Sequence, residues 1–208
     1  MTKPEPALLK RKTPVILVPG FFPFNGMQRW KKILEKNNHP VEIVEFSKFF
    51  PRQPIEEQAF ILRNAVKDVL KKYSAERCHL MGFSMGAVVI LYFLQKVNTD
   101  KVGKCVLAAA PFWGIRKYLL MFYPFFLIFK GLKQIVPGSD FVADIVNFGP
   151  AKDVEIYTLR GKNDLLCSEK SGRLFFANNL APISSGHAGI YLALNKNAVD
   201  AVLKILED

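Results

Sequence analysis

The chain has 208 residues, of which 50% are hydrophobic, 12% are aromatic and 18 are phenylalanine, and its formal net charge is +11. This length and composition exclude a disordered chain and predict one domain with a sizeable core. The charge favours an anionic partner, either a phospholipid surface or nucleic acid. The basic residues are scattered and form no aromatic-interleaved basic motif, so no nucleic-acid partner is expected and a membrane surface ranks first.

The three cysteines, Cys78, Cys105 and Cys167, show neither a metal-binding spacing nor a C-x-x-C motif. No metal site is predicted, and buried free thiols fit a reducing compartment. Residues 1–13 are predicted to be a basic arm ahead of a single domain at 14–208. The arm has no apolar stretch, so no signal peptide is expected in this chain, although a cleaved leader would leave the same appearance. The expected location is the cytoplasm, with peripheral contact at a membrane surface as a further expectation.

Short apolar runs alternate with amphipathic stretches along the chain. The runs that predict strands are 15–18, 41–46, 78–82, 102–110 and 154–159. The stretches that predict helices are 28–36, 54–73, 87–97, 141–146 with Asp140 as its cap, and 197–206. Apolar strands that alternate with helices indicate a mainly parallel sheet covered on both faces. The predicted architecture is therefore a three-layer α/β/α sandwich.

Residues 82–86 read Gly-Phe-Ser-Met-Gly, a G-x-S-x-G pentapeptide between a predicted strand and a predicted helix. At such a turn the serine is strained while strand and helix pass close together, so no side chain fits two residues before or after it. The hydroxyl of Ser84 would project into a cleft above a helix N-terminus, which supplies unpaired N–H groups. Ligands of such sheets bind at the carboxyl ends of the strands, where the loops after Val18 and Leu159 are also expected.

A serine becomes a strong nucleophile when a histidine takes its proton and a carboxylate orients that histidine. Of the three histidines, His39 falls in a polar turn and His79 at the start of the strand before Ser84, on the wrong side of the sheet. His187 lies in a glycine-flanked loop before the last helix, where a base would reach the cleft. It is the candidate base, although a solvent-exposed loop histidine would have the same sequence context.

The candidate carboxylate is Asp164, which follows the last predicted strand directly. Its alternative interpretation is an ordinary turn aspartate after a glycine. Glu169 and Asp153 are the other acids nearby, and both are worse placed, because one lies further along the chain and the other precedes the strand.

The order Ser84, Asp164, His187 resembles that of the α/β-hydrolase superfamily. The similarity is to small bacterial lipases and esterases without a large cap, and it covers the chain from Val15 onward. The stretches that carry it are VILVPGF, HLMGFSMGAVV, AAAPFWG, IYTLRGKNDLLC and GHAGIYLALNKNAVDAVLKIL. The resemblance implies the α/β-hydrolase fold, a catalytic triad of these three residues, and no metal or organic cofactor.

By position, the resemblance also implies that the backbone N–H groups of Phe21 and Met85 form the oxyanion hole. The chain departs from the family pattern at Pro19, where a histidine is more usual, and at Phe83, where a histidine is frequent. Neither position belongs to the triad, so the departures bear on the choice of substrate rather than on the reaction.

Residues 112–137 form a predicted lid-like insertion. Its apolar core, 118–129, is too short to span a membrane and is interrupted by Pro124. Exposed aromatic residues within a basic rim predict a lid or an interfacial anchor on anionic lipid. The same segment would alternatively form the acyl-chain pocket, or a buried helix packed over the sheet.

These features predict a serine hydrolase that cleaves carboxylic esters of acyl or lipid-like substrates through an acyl-enzyme. The same triad would serve a thioesterase or an acyltransferase. A non-catalytic lipid-binding or membrane-associated protein on the same fold is a further alternative. The expected partners are an ester or acyl-lipid substrate and, peripherally, an anionic membrane.

Overall fold

The structure is a computed structural model that describes residues 12–21, 26–46, 53–97, 101–122, 124, 128–150 and 154–207. Within these residues six strands form one sheet in the order β2-β1-β3-β4-β5-β6, and every neighbouring pair is parallel. The strands are β1 Val15–Val18, β2 Val41–Ile43, β3 Cys78–Phe83, β4 Val102–Ala108, β5 Glu155–Leu159 and β6 Asn178–Asn179. Because all pairs are parallel, the carboxyl ends of the strands lie along one edge of the sheet.

Helices connect most of the strands. Those with assigned bounds among the described residues are α1 Gly26–Lys36, α2 Ile55–Tyr73, α3 Met85–Lys96, α4 Lys130–Gln134, α5 Asp140–Asn147, α6 His187–Tyr191 and α7 Lys196–Leu206, with a 3₁₀ helix at Lys117–Phe122.

Successive side chains of β1 point to opposite faces of the sheet, as strand geometry requires. Val15 and Leu17 pack in one core with helices α1 and α7. Ile16 and Val18 pack in a second core with α2, α3 and α5. The sheet therefore lies between two layers of helices, and the predicted three-layer α/β/α sandwich is confirmed.

Three predicted strands are longer than the observed ones, and one of them, β5, differs only in beginning at Glu155 instead of residue 154. β2 ends at Ile43 instead of residue 46, because Pro19, which follows its partner β1, has no N–H to continue the ladder. β4 ends at Ala108 instead of residue 110, because Ala109 adopts a φ of 50° and turns the chain.

The predicted cap of α5 was wrong. Asp140 is already the first helical residue, and Ser139 has the extended backbone of an N-cap. The Ser139 Oγ accepts a hydrogen bond from the Val142 N–H at 3.2 Å, which satisfies one of the unpaired donors of the first turn.

His187 does not lie in a loop, as predicted, but is the first residue of α6. A five-residue helix with an internal glycine has no apolar periodicity by which sequence would reveal it. Residues 1–11 of the predicted arm lie outside the described residues, so the division into an arm and a single domain stays a prediction. Among the described residues, no helix has both the length and the apolar character needed to cross a membrane.

Candidate active site

Ser84 stands between β3 and α3 with a φ of 51° and a ψ of −122°, a conformation that non-glycine residues rarely adopt. Its N–H donates to the Ala108 carbonyl at 2.9 Å, and its carbonyl accepts from the Ala87 N–H at 3.0 Å. The residue therefore belongs to the sheet through its amide and to the helix through its carbonyl. These bonds on both sides hold the strained turn in place.

The two glycines of the pentapeptide are required by close packing. A Cβ at Gly82 would lie 2.7 Å from the Cα of Ala87, and a Cβ at Gly86 would lie 2.3 Å from the Pro19 carbonyl oxygen. Both distances are shorter than real Cβ contacts, so α3 approaches β3 and the end of β1 only because these side chains are absent. The spacing of the motif thus has the physical basis that the sequence suggested.

His187 and Asp164 are in direct contact, with 2.8 Å between His187 Nδ1 and Asp164 Oδ2. A carboxylate only accepts, so in this contact Nδ1 carries the proton and Nε2 is left with a free lone pair. Asp164 is 1% exposed, whereas the His187 side chain is 17% exposed. The acid is thus buried behind a histidine that still reaches the surface of the site.

The second oxygen of Asp164 is held by its own turn. Asp164 Oδ1 accepts from the N–H groups of Leu166 at 2.8 Å and Cys167 at 2.9 Å. These two bonds compensate the burial of the carboxylate. Sequence reasoning placed Asp164 but missed these partners, although an aspartate that bonds amides two and three residues further on is a recurrent turn.

A cavity of about 920 Å³ lies at the carboxyl ends of the strands. Ser84 and His187 both line it, together with Gly20, Phe21 and Met85. Met85 is the first residue of α3, so its N–H has no partner within the helix. The structure therefore brings four of the five predicted site residues to one cavity and places the fifth, Asp164, directly behind His187.

Most of the cavity wall is apolar. The predicted insertion supplies one side of it, through the side chains of Ile115, Leu119, Phe122, Leu132 and Ile135. Leu165 and Leu166, which follow the buried acid, supply another part. None of the residues of the 3₁₀ helix in this insertion is buried, which argues against the alternative of a buried helix for that stretch.

Cys167 lies close enough to Asp164 and His187 for one ligand atom of each to fall within 4.8 Å of the others. Burial raises the pKa of the Cys167 thiol well above its usual range, and the Asp164 carboxylate raises it further. The thiol is therefore protonated at neutral pH, whereas metal binding needs the thiolate. Asp164 and His187 are already bonded to each other, so the chemistry of the three groups fits an acid–histidine pair better than a metal site.

The other two histidines lie at the amino ends of the strands, away from the cavity. His39 directly follows the turn at residues 37–38, is 2% exposed, and has Nδ1 2.9 Å from the Thr13 carbonyl oxygen. His79 is also buried, and its Nδ1 accepts from the Lys104 N–H at 2.9 Å. Both have structural partners, which leaves His187 as the histidine of the cavity.

No curated protein sequence matches this chain significantly. Among solved structures, the mature form of a Bacillus licheniformis lipase has a TM-score of 0.76 and 15% identity over 93% of both chains. In the propeptide form of that lipase, this chain covers only 50% of the longer chain. A Bacillus subtilis carboxylesterase has a TM-score of 0.65 and 14% identity, over 95% of this chain and 84% of that one. A Legionella pneumophila phospholipase has a TM-score of 0.72 and 12% identity, over 95% of this chain and 60% of that one.

At these identities the structural similarity shows the fold, which is that of the α/β hydrolases. The family described as alpha/beta hydrolase of unknown function (DUF915) matches residues 25–164, a stretch that is more than half of the chain and includes Ser84. The resemblance seen in the sequence is thereby confirmed. The chain belongs to this family of alpha/beta hydrolases.

Proposed function

We propose that the protein is a serine hydrolase that cleaves carboxylic esters of acyl or lipid-like substrates. The observation that carries the proposal is that a strained serine at the β3–α3 turn and a histidine bonded to a buried carboxylate line the same apolar cavity. Ser84 is the proposed nucleophile, His187 the general base, and Asp164 the residue that orients the imidazole.

The reaction follows from the positions of the protons. Ser84 Oγ attacks the ester carbonyl carbon while His187 Nε2 takes the hydroxyl proton, and the backbone N–H groups of Phe21 and Met85 donate to the oxyanion. The tetrahedral intermediate collapses, the alcohol leaves with the proton from His187, and an acyl-enzyme remains. Water then attacks the acyl carbonyl carbon while His187 Nε2 takes a proton from it, which forms a second tetrahedral intermediate. When this intermediate collapses, His187 returns the proton to Ser84 Oγ and the acid is released.

The wall of the cavity supports an acyl substrate. Its side chains are largely aliphatic or aromatic, and its volume of about 920 Å³ lies within the range of small-molecule sites. Solved neighbours named as a lipase, a carboxylesterase and a phospholipase are consistent with this substrate class.

We also propose that the opening of the cavity contacts an anionic lipid surface. A set of large apolar side chains, here called the mouth surface, is at least half exposed: Tyr118, Met121, Phe122, Ile128 and Leu165. Phe122 and Leu165 also line the cavity, so the mouth surface adjoins the site. Lysines close to these residues in the sequence, at 117, 130, 133 and 162, are exposed, and no aspartate or glutamate occurs between residues 101 and 139. Apolar burial and charge attraction would then act together.

The test is a turnover series on p-nitrophenyl esters of increasing acyl length, with labelling by a fluorophosphonate probe. Ser84→Ala should lose both turnover and labelling, because Ser84 is the group proposed to form the acyl-enzyme. Triad removal typically lowers kcat by about 10⁶-fold. The matched control is Ser139→Ala, which should cost about 1 kcal/mol of stability as a lost helix cap but keep full labelling.

The remaining outcomes separate the alternatives. Labelling of Ser84 with turnover of acyl thioesters but not of oxygen esters would make the protein a thioesterase. Transfer to an added alcohol in preference to water would make it an acyltransferase. A protein that binds lipid but is neither labelled nor active would be a non-catalytic member of the fold, and the proposal would be wrong.

A further inference from the structure

The turn that carries Asp164 is held from outside by the start of the insertion. The main-chain carbonyls of three consecutive residues, Asp164, Leu165 and Leu166, all accept hydrogen bonds from residues 116–118. Arg116 Nε donates to the Asp164 oxygen at 3.0 Å, and the Arg116 N–H donates to the Leu166 oxygen at 3.0 Å. The Tyr118 hydroxyl donates to the Leu165 oxygen between them.

The same turn fixes the carboxylate from inside. Asp164 Oδ1 accepts from the amides of Leu166 and Cys167, which leaves Oδ2 for His187. The position of Oδ2 therefore depends on the position of residues 164–167. Asp164 is 1% exposed, so water cannot replace a partner that the carboxylate loses.

We propose that Arg116 and Tyr118 are positioning residues that hold the Asp164 turn in register with His187, so that the start of the insertion sets the geometry of the acid–histidine pair. This inference rests on the proposed function for its catalytic consequence, but not for its structural one. Within residues 115–119, Ile115 and Leu119 line the cavity, whereas Arg116 and Tyr118 do not. The two residues thus act through Asp164 and not by contact with substrate.

Coupling follows from this arrangement. The insertion lines the cavity through Leu119 and Phe122 and holds the acid turn through Arg116 and Tyr118. A substrate or a lipid surface that displaces the 3₁₀ helix therefore pulls on the turn that orients the proposed base.

Two variants test the proposal. Tyr118→Phe removes one hydroxyl from a residue that is 54% exposed, so we expect the variant protein to fold normally. Arg116→Met keeps the aliphatic stem and removes the Nε donor. The matched control is Trp113→Phe, which removes the bond from Trp113 Nε1 to the Arg173 carbonyl at 2.9 Å. That bond also joins the start of the insertion to the chain after β5, but its acceptor residue is nine residues beyond Asp164 in the sequence.

The first readout does not need turnover. The Nδ1–H proton of His187, bonded to a buried carboxylate, should give a far-downfield proton resonance that His187→Gln abolishes. We expect this resonance to move upfield or to broaden by exchange with water in Arg116→Met, to change less in Tyr118→Phe, and to stay unchanged in Trp113→Phe.

The second readout is the split between kcat and KM on the best ester. Arg116→Met should lower kcat by about tenfold and Tyr118→Phe by about threefold, the range expected when one hydrogen bond to the Asp164 turn is lost. KM should change little, because neither residue touches the substrate. Trp113→Phe should leave both constants unchanged.

An unchanged His187 resonance in Arg116→Met overturns the proposal, even if kcat falls, because turnover was then lost for another reason. Equal changes in all three variants also overturn it, since they indicate general loosening of the insertion. If the resonance moves as expected in the variants but the wild-type protein cleaves no ester and is not labelled, the positioning role stands. That result would refute the proposed function alone.

Discussion

The Asp164 side chain holds one oxygen against His187 and the other against two main-chain amides. In Asp164→Asn the amide oxygen can keep the bonds to Leu166 and Cys167, and the NH₂ group then faces His187 Nδ1. That nitrogen must now accept, so the ring proton moves to Nε2, which can no longer take a proton from Ser84. We expect kcat to fall by about 10³–10⁴-fold with little change in the thermal midpoint of unfolding.

The control for this variant is Glu169→Gln. Glu169 is the nearby carboxylate that follows Asp164 in the sequence, and its side chain is 49% exposed, 3.7 Å from Arg160 Nη1. The Arg160 side chain is only 5% exposed, so the loss of this ion pair should lower stability. Arg160 keeps its hydrogen bonds to the main-chain oxygens of Glu169 and Leu180, so kcat should stay close to wild type. Retained turnover in Asp164→Asn together with lost turnover in Glu169→Gln would show that the carboxylate was assigned to the wrong residue.

The junction of β3, Ser84 and α3 depends on close packing against the end of β1. A Cβ at Gly86 would lie 2.3 Å from the Pro19 oxygen and 2.4 Å from the Val18 oxygen, both main-chain atoms that cannot rotate away. Gly86→Ala should therefore cost about 1–3 kcal/mol or more of unfolding free energy, and should lower kcat because Ser84 moves with the helix.

The comparison variant is Gly149→Ala, where the nearest atom to an added Cβ is Phe176 Cγ at 3.7 Å. This variant should keep its stability or gain about 0.4–1 kcal/mol, because alanine restricts the unfolded chain. Denaturant unfolding measures both. Equal stability losses in the two variants would mean that the approach of α3 to β1 does not require glycine.

The elements that sequence predicted well are those that carry their own pattern. Val15–Val18 is apolar throughout and ends at Pro19-Gly20, so both of its bounds were visible. The long helix Ile55–Tyr73 has sustained apolar periodicity after Pro54. β6 was not predicted because it has two residues, and it is a strand only by its pairing with Tyr157 and Thr158 of β5. Such an element depends on tertiary contact and has no local signature.

The same division applies to the candidate site. The pentapeptide around Ser84 and the order of Ser84, Asp164 and His187 along the chain were visible in the sequence. The hydrogen bonds from residues 116–118 to the Asp164 turn were not, because they depend on the path that the insertion takes over the sheet. A sequence motif specifies which groups react, whereas the distant segments that hold those groups are determined by the fold.

The net charge of +11 and the mouth surface together predict how the molecule behaves at lipid surfaces. Vesicles that contain phosphatidylglycerol should bind the protein, vesicles of phosphatidylcholine alone should bind it weakly, and added salt should weaken binding, because screening reduces charge attraction. Cosedimentation measures all three. The double variant Met121→Ser with Phe122→Ser should bind less tightly to anionic vesicles, since it removes two exposed apolar side chains from the mouth surface.

The control for the vesicle experiment is Phe148→Ser, which removes an equally exposed aromatic ring from another part of the molecule. Gln95, near the end of α3 that lies opposite Ser84, donates to the Phe148 carbonyl, so this ring is remote from the cavity. The centroid of the Phe148 ring lies 5.5 Å from Lys96 Nζ, so this control removes an aromatic ring that lies beside a cation. If exposure and charge alone governed binding, Phe148→Ser would weaken it as much as the double variant does. We expect no loss, because the membrane contact that we propose is specific to the mouth of the cavity, and equal losses would refute it.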